Sequence, residues 1–258
     1  SDVYKRQAKT ESKILKEGTG EKVDKNATLK VNYVGVNGRT GKEFDSSYKR
    51  GTTADFPLAQ VVPGFAKGLV GKHQGDRVLI MMPGSDGYDS QGGAPQAGIM
   101  KGDSLIFVVD IVAIPLPKAT GETVKPAAGL PTVKEVQGAP AVTIGKATKP
   151  NKLVVQPLIK GKGAAVTAHD SIDVKYRTYA WSSGELIEDG YSGEPVTGSM
   201  NSVIPGWKKG LIGQTVGSRV MLIVPPADAY PNGSTNPPVK KGETLIYVID
   251  ILSAQKES

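Results

Sequence analysis

The stretch VVPGFAKGLVG, Val61–Gly71, returns in the second half of the 258-residue chain as VIPGWKKGLIG, Val203–Gly213. Pro63 suits a first helical position, Phe65 and Leu69 lie four apart on one face, and Gly71 can close the helix. The string reads as one short helix with an aromatic residue on its buried side, used twice, with Phe65 exchanged for Trp207. A repeat so far apart predicts two domains of about 110–130 residues, each able to bury its own core.

Outward from the motif the two halves keep one plan. GDRVLIMMPGSDGY (Gly75–Tyr88) pairs with GSRVMLIVPPADAY (Gly217–Tyr230), and KGDSLIFVVDI (Lys101–Ile111) with KGETLIYVIDI (Lys241–Ile251). Upstream, LKVNYVGV matches IDVKYRTY and sets Tyr33 opposite Tyr176. LKVNYVGV, DRVLIMM and SLIFVVDIVAI are β-branched, apolar runs bounded by Gly, Asp and Pro, so they read as strands. Between Pro115 and Pro150 the composition turns to Pro, Gly, Ala, Thr and Lys, which suits a solvated connector. The expected division is a first domain over 1–115, a linker over 116–130 and a second domain over 131–258. TVKEV, PAVTIG and KLVVQPLIKGKG would form the first strands of that second domain.

Composition removes several function classes. The net charge of +7 is spread over both halves without a Lys/Arg run, so no nucleic-acid partner is expected. Cysteine is absent and the two histidines, His73 and His169, stand alone, so no metal site, thiol nucleophile or disulfide is expected. The apolar runs VLIMM and LIYVIDIL are too short to span a bilayer. GTGEKV and GKGAAV lack the spacing of a phosphate loop, DGYDSQGG lacks the ligands of a calcium loop, and no nucleophile elbow or zinc-binding helix motif occurs. Any catalysis must then rest on shape and polarity, with no cofactor. The chain starts at Ser1 with a polar segment, which suggests that a targeting segment has been removed or left out. Together with the Pro/Lys-rich design, this gives an extracytoplasmic location as the expectation, secreted or attached to the cell envelope. Nothing demands a dimer, and a monomer is expected.

A Tyr-bearing strand, GKEFDSSYKRG (Gly41–Gly51), FPLAQVVPGFAKGL, a Tyr after the next strand and a final SLIFVVDI occur in that order. The combination resembles the FK506-binding-protein (FKBP) class of peptidyl-prolyl cis/trans isomerases, of bacterial type and in tandem. It is strong over Ser12–Ile114, and over Pro131–Ser253 it is strong only after Val203. The resemblance implies an α+β fold of two FKBP-like domains, each an antiparallel β-sheet curled around one short helix with an apolar pocket between them. It implies proline-containing polypeptides or unfolded proteins as substrates, with FK506- or rapamycin-like macrolides as further ligands. By the same resemblance Phe65 forms the pocket floor, and Tyr33, Phe44, Val61, Val62, Ile99 and Phe107 line its walls. Asp45 and Tyr88 supply the polar rim, Arg50 steadies Asp45 or Tyr33, and the Val62 N–H and Tyr88 hydroxyl donate to ligand carbonyls. Asp45, Tyr88, Phe44 and Val62 are the expected catalytic set. Without the resemblance, Val61, Phe65 and Phe107 would read as ordinary core beside Leu69, Val78, Leu105 and Val109.

The second copy keeps Tyr176, Val203, Ile204, Trp207, Tyr230 and Tyr247 at the corresponding places. Its GELIEDGYSG replaces Phe44 by Ile187 and Asp45 by Glu188, and has no counterpart of Arg50. The first domain is therefore expected to be the active isomerase and the second a weak one. The alternative is a weakly catalytic or non-catalytic chaperone that holds unfolded chains at two shallow sites.

Overall fold

The computed structural model describes residues 8–256; the expectations attached to the start at Ser1 lie outside that range. The chain divides into two units between Pro115 and Leu116.

In the first unit the strands are β1 (Glu11–Lys16), β2 (Thr28–Asn37), β3 (Glu43–Ser46), β4 (Ala54–Pro57), β5 (Arg77–Met82), β6 (Gly93–Ala94), β7 (Ile99–Met100) and β8 (Leu105–Ala113). The one-turn helix α1 (Ser47–Arg50) follows β3, and α2 (Pro63–Leu69) is the helix expected from the opening motif. The main sheet runs β1-β5-β8-β2-β3, with β4 also on β2, and every pair is antiparallel. Its period of two is visible in burial: Leu29, Val31 and Tyr33 of β2 and Leu105, Phe107 and Val109 of β8 point to the core, while Val34, Val36, Ile106 and Val108 between them are only half-buried.

The glycines of the repeated motif explain its persistence. A Cβ on Gly64 would lie 2.4 Å from the Met82 sulfur, and one on Gly68 2.8 Å from Ile80 Cδ1. The helix therefore lies with its glycine face directly on β5, and any larger residue would lift it from the sheet. That close approach carries Phe65 and Leu69 into the core.

The second unit repeats this layout with α3 (Pro205–Leu211) as the helix. Its strands are β9 (Glu122–Thr123), β10 (Thr132–Val136), β11 (Ala139–Thr143), β12 (Val154–Lys160), β13 (Asp170–Ala180), β14 (Leu186–Asp189), β15 (Val196–Ser199), β16 (Arg219–Val224), β17 (Ser234–Thr235), β18 (Pro238–Val239) and β19 (Leu245–Lys256). The sheet order is β14-β13-β19-β16-β12-β9, with β15 on β13. Gly206 and Gly210 approach Val224 and Leu222 as closely as their counterparts do in the first unit.

Two differences from the sequence reading concern this unit. The segment 116–130, exposed along most of its length, is paired to the second unit rather than free. The Leu116 N–H donates to the Leu252 carbonyl at 2.8 Å, Thr120 N–H to Gly217 at 2.8 Å, and Val124 N–H to Leu158 at 2.9 Å, while β9 adds to the edge of β12. Extended, proline-rich backbone reads as linker, yet it is well suited to pair with an open sheet edge whose donors and acceptors need partners. Second, the β10–β11 hairpin packs on the outer face of the sheet. Val133, Val142 and Ile144 there cover Met221, Ile223, Ile246 and Val248, all fully buried, whereas the corresponding Leu79, Met81, Ile106 and Val108 of the first unit are half-exposed. Arg219 and Asp250 consequently form a buried ion pair (2.6 Å), and the Arg219 guanidinium also reaches Glu135 of β10 at 3.3 Å. The corresponding pair Arg77–Asp110 is partly exposed.

Candidate active site

The floor of the first site is a cluster of rings delivered by five different elements. Phe65 of α2 lies 4.6 Å from Phe107 of β8 and 4.7 Å from Phe56 of β4, centroid to centroid. Tyr33 of β2 adds its ring 5.1 Å from Phe56, and Phe44 of β3 meets Phe107 edge-on at 5.5 Å. Tyr33, Phe56, Phe65, Phe107 and Ile99 are buried, while Phe44, Val61, Val62 and Tyr88 are half-buried and pack against them. Tilted and edge-to-face contacts of this kind favour a rigid aromatic wall. Phe56 was not singled out in the sequence, although it stands in the quoted FPLAQVVPGFAKGL; its register opposite Leu29 turns it inward. Gly35 was missed as well. A Cβ there would lie 2.7 Å from Phe107 and 2.8 Å from Phe44, so the edge contact of these two rings requires glycine on β2.

Over the rings lies a polar rim. The Tyr33 hydroxyl donates to Asp45 Oδ2, and Arg50 Nη1 donates to Asp45 Oδ1. Arg50 Nη2 also donates to the Tyr33 oxygen at 3.1 Å, its guanidinium carbon lies 5.6 Å from the centre of the Tyr33 ring, and the Ser46 N–H reaches Asp45 Oδ1 at 2.8 Å. Burial opposes ionisation of Asp45, but the Tyr33 hydroxyl and the Arg50 guanidinium outweigh it and hold the carboxyl below its ordinary range. Burial, with the nearby Asp45 charge, pushes the Tyr88 hydroxyl up, so it stays a protonated donor at neutral pH. Neither that hydroxyl nor the Val62 N–H bonds any described residue. Lys67 of α2 bridges Asp86 at 2.6 Å and so ties the loop that carries Tyr88 to the helix.

The second site is a cavity of about 220 Å³ lined by Tyr176, Glu188, Ser202, Val203, Ile204, Trp207, Tyr230 and Tyr247. Of the expected residues only Ile187 is not among the lining; it packs instead against the core edge. Ser202 belongs to the lining and had not been expected. Trp207 stands edge-on to Tyr176 (5.1 Å) and Tyr247 (5.5 Å), and its indole N–H is buried without a partner among the described residues. Thr178 occupies the place of Gly35: both lie opposite the rim acid and the β-strand ring, Glu188 and Tyr247 here, Asp45 and Phe107 there. A side chain is tolerated there because Ile187 stands where Phe44 would. The Thr178 hydroxyl donates to Glu188 Oε2 at 2.8 Å, and the Tyr176 hydroxyl to Oε1 at 3.3 Å. Burial first, then the Glu188 charge, pushes Tyr176 up to about 12. Lys209–Asp228 (2.5 Å) repeats the helix-to-loop tie, and the Ile204 N–H, like that of Val62, bonds no described residue.

Among the described residues no group of His, Asp or Glu side chains could hold a metal ion, and no helix is long and apolar enough to cross a membrane. What both sites offer is an apolar floor, hydrogen-bond donors at the rim and a hydrogen-bonded carboxylate.

This fold and this kind of site define a class of proteins that bind and turn peptide bonds at proline. The family model described as FKBP-type peptidyl-prolyl cis-trans isomerase matches residues 19–112 and again 162–252, and the chain belongs to that family. It is 32% identical over 117 residues to a probable FK506-binding protein of Corynebacterium glutamicum, a match that covers 45% of this chain and 98% of that protein. It is 39% identical over 104 residues to the FK506-binding protein of Streptomyces anulatus, covering 40% of this chain and 83% of that protein. Among solved structures it is similar to FkpA from Escherichia coli, with 30% identity, a TM-score of 0.37, and 40% of this chain and 48% of that one covered.

Proposed function

We propose that the first unit isomerises Xaa-Pro bonds of folding polypeptides by desolvation and orientation, without covalent chemistry. Rotation of the peptide bond faces a barrier of about 18–20 kcal/mol because the twisted transition state loses amide resonance. The observation that carries the reading is the pair of unengaged donors, the Val62 N–H and the Tyr88 hydroxyl, above a floor of five packed rings. A proline ring seated on Phe65 would be held by apolar contact, while the carbonyl before it exchanges water for the rim. Water stabilises the planar, charge-separated amide, so its removal favours the twisted form. Asp45 acts electrostatically and, held ionised by Tyr33 and Arg50, moves no proton. Uncatalysed isomerisation takes tens to hundreds of seconds, slow enough to limit folding.

The second unit is read as a polypeptide-binding site of low turnover. Its rim acid is longer, its Phe wall is replaced by Ile187, and no arginine stands over its tyrosine. Macrolides of the FK506 type are proposed as ligands of the first pocket only. An extracytoplasmic location is proposed from composition alone, and cell fractionation with an antibody to the chain tests it.

The test of function is NMR exchange on a short Xaa-Pro peptide with the full chain. Asp45→Val is expected to lower the catalysed rate by about tenfold to a hundredfold, as misplacement at a site of pure positioning does, and Trp207→Ala to leave most of it. If the unaltered chain does not exceed the spontaneous rate yet still suppresses aggregation of an unfolded protein, the chaperone reading replaces the isomerase one.

A further inference from the structure

The rim acids of the two sites differ in what neutralises them. Asp45 has an internal cation, Arg50, which also covers the face of Tyr33. In the second site Glu188 accepts only from two hydroxyls, Tyr176 and Thr178, and among the described residues no lysine, arginine or histidine meets it. The nearby cations are engaged elsewhere: Arg177 bridges Asp189 at 2.7 Å, and Lys175 Nζ donates to the Tyr191 carbonyl at 3.4 Å.

The register makes the two acids equivalent. Glu188 lies opposite Thr178 as Asp45 lies opposite Gly35, so the two rim acids hold the same place on their sheets, whereas the helix α1 that carries Arg50 has no helical counterpart after β14. Glu188 borders the open cavity of the second site instead. Around that cavity stand the Glu188 carboxylate and the rings of Tyr176, Trp207, Tyr230 and Tyr247, an arrangement of aromatic walls and one anion that attracts an organic cation. Burial and the Glu188 charge both raise Tyr176, Tyr230 and Tyr247, which keeps these hydroxyls protonated.

We propose that the second pocket takes a lysine or arginine side chain of the bound polypeptide, its charged head against Glu188 and over Tyr176 in the place of Arg50. The two sites of one chain then differ in sequence preference: the first is indifferent to a positive charge beside proline, the second selects it. This rests on the reading of the second pocket as a polypeptide site.

Both tryptophans, Trp181 and Trp207, belong to the second unit, and only Trp207 lines the pocket, so its indole resonance in the full-length protein reports occupancy. Trp181→Phe assigns the signal. The probes are two capped peptides with lysine immediately before or after proline, each with a norleucine counterpart. A lysine peptide is expected to bind about fivefold to tenfold more tightly than its counterpart, the worth of a cation at an aromatic face beside a carboxylate. That ratio should shrink as salt is raised and fall to near one in Glu188→Gln, which keeps the side-chain shape. Equal binding of lysine and norleucine peptides, or a preference that survives Glu188→Gln, overturns the proposal while leaving the pocket a peptide site. If no peptide moves the Trp207 resonance, the underlying reading of that pocket is overturned with it.

Discussion

Phe56 and Phe65 stand with ring centroids 4.7 Å apart, tilted by 59°, and in the second unit the position of Phe56 on its strand belongs to Gly198, opposite Ile172 as Phe56 is opposite Leu29. The strand loses a ring where the helix gains a larger one. Because the two rings touch, their substitutions should be coupled. Phe56→Gly in the first unit is expected to cost about 3–5 kcal/mol, and Phe65→Trp in the intact cluster about 1–3 kcal/mol. The double variant should be more stable than the sum of the two losses by at least about 1 kcal/mol. Urea unfolding of the three variants measures this, and strict additivity would show that the two positions changed independently.

Gly35 permits the edge contact of Phe44 with Phe107. Gly35→Thr should push Phe44 out and lower the catalysed isomerisation rate by about tenfold or more, since the wall that orients the proline is lost. Adding Phe44→Ile should recover stability without recovering rate, because it reproduces the Thr178/Ile187 pair of the second unit. Rates on a proline peptide, read beside melting temperatures, separate the two effects.

Asp103 accepts from Arg39 at 2.7 and 3.1 Å, from the Asn37 amide at 2.8 Å and from the Met100 N–H at 2.9 Å, next to the pocket residue Ile99. Arg39 foremost holds its carboxyl down at about 2, against the opposing effect of burial. An unfolded aspartate titrates near about 3.9, so this stabilisation is complete above that pH and is lost as the pH falls toward 2. The urea midpoint of the unaltered chain should therefore drop more steeply between pH 5 and pH 2 than that of Asp103→Asn. Parallel curves would mean that the carboxylate contributes nothing.

Met221 and Leu79 correspond in the two sheets, but only Met221 is sealed beneath a hairpin. Met221→Ala should cost about 2–5 kcal/mol, the range for a buried cavity, and Leu79→Ala distinctly less. Tryptophan fluorescence follows the first of these, since both tryptophans lie in the second unit. A similar small loss in both would deny the hairpin any role in stability.

Much of this protein was legible in the order of its residues. The motif Pro-Gly-aromatic with a second Gly and Leu specified the helix and its ring, because proline, glycine and spacing act locally and leave a local signature. Alternation marked β2, β5 and β8, and the loss of Arg50 and Phe44 in the second copy could be read by laying one half on the other. Other features had no local signature. Phe56, Gly35, Thr178 and Ser202 acquire meaning only from what the sheet register places opposite them. Residues 116–130 look unpaired until an open strand edge offers their backbone partners. The hairpin over Met221 and Ile223 joins residues far apart in sequence, and only closure of the sheet decides that both of its faces are buried. Residue type and spacing determined which elements form and which side chains could make a pocket. Packing between distant elements decided how each pocket is walled, and whether its rim acid is met by a cation of its own.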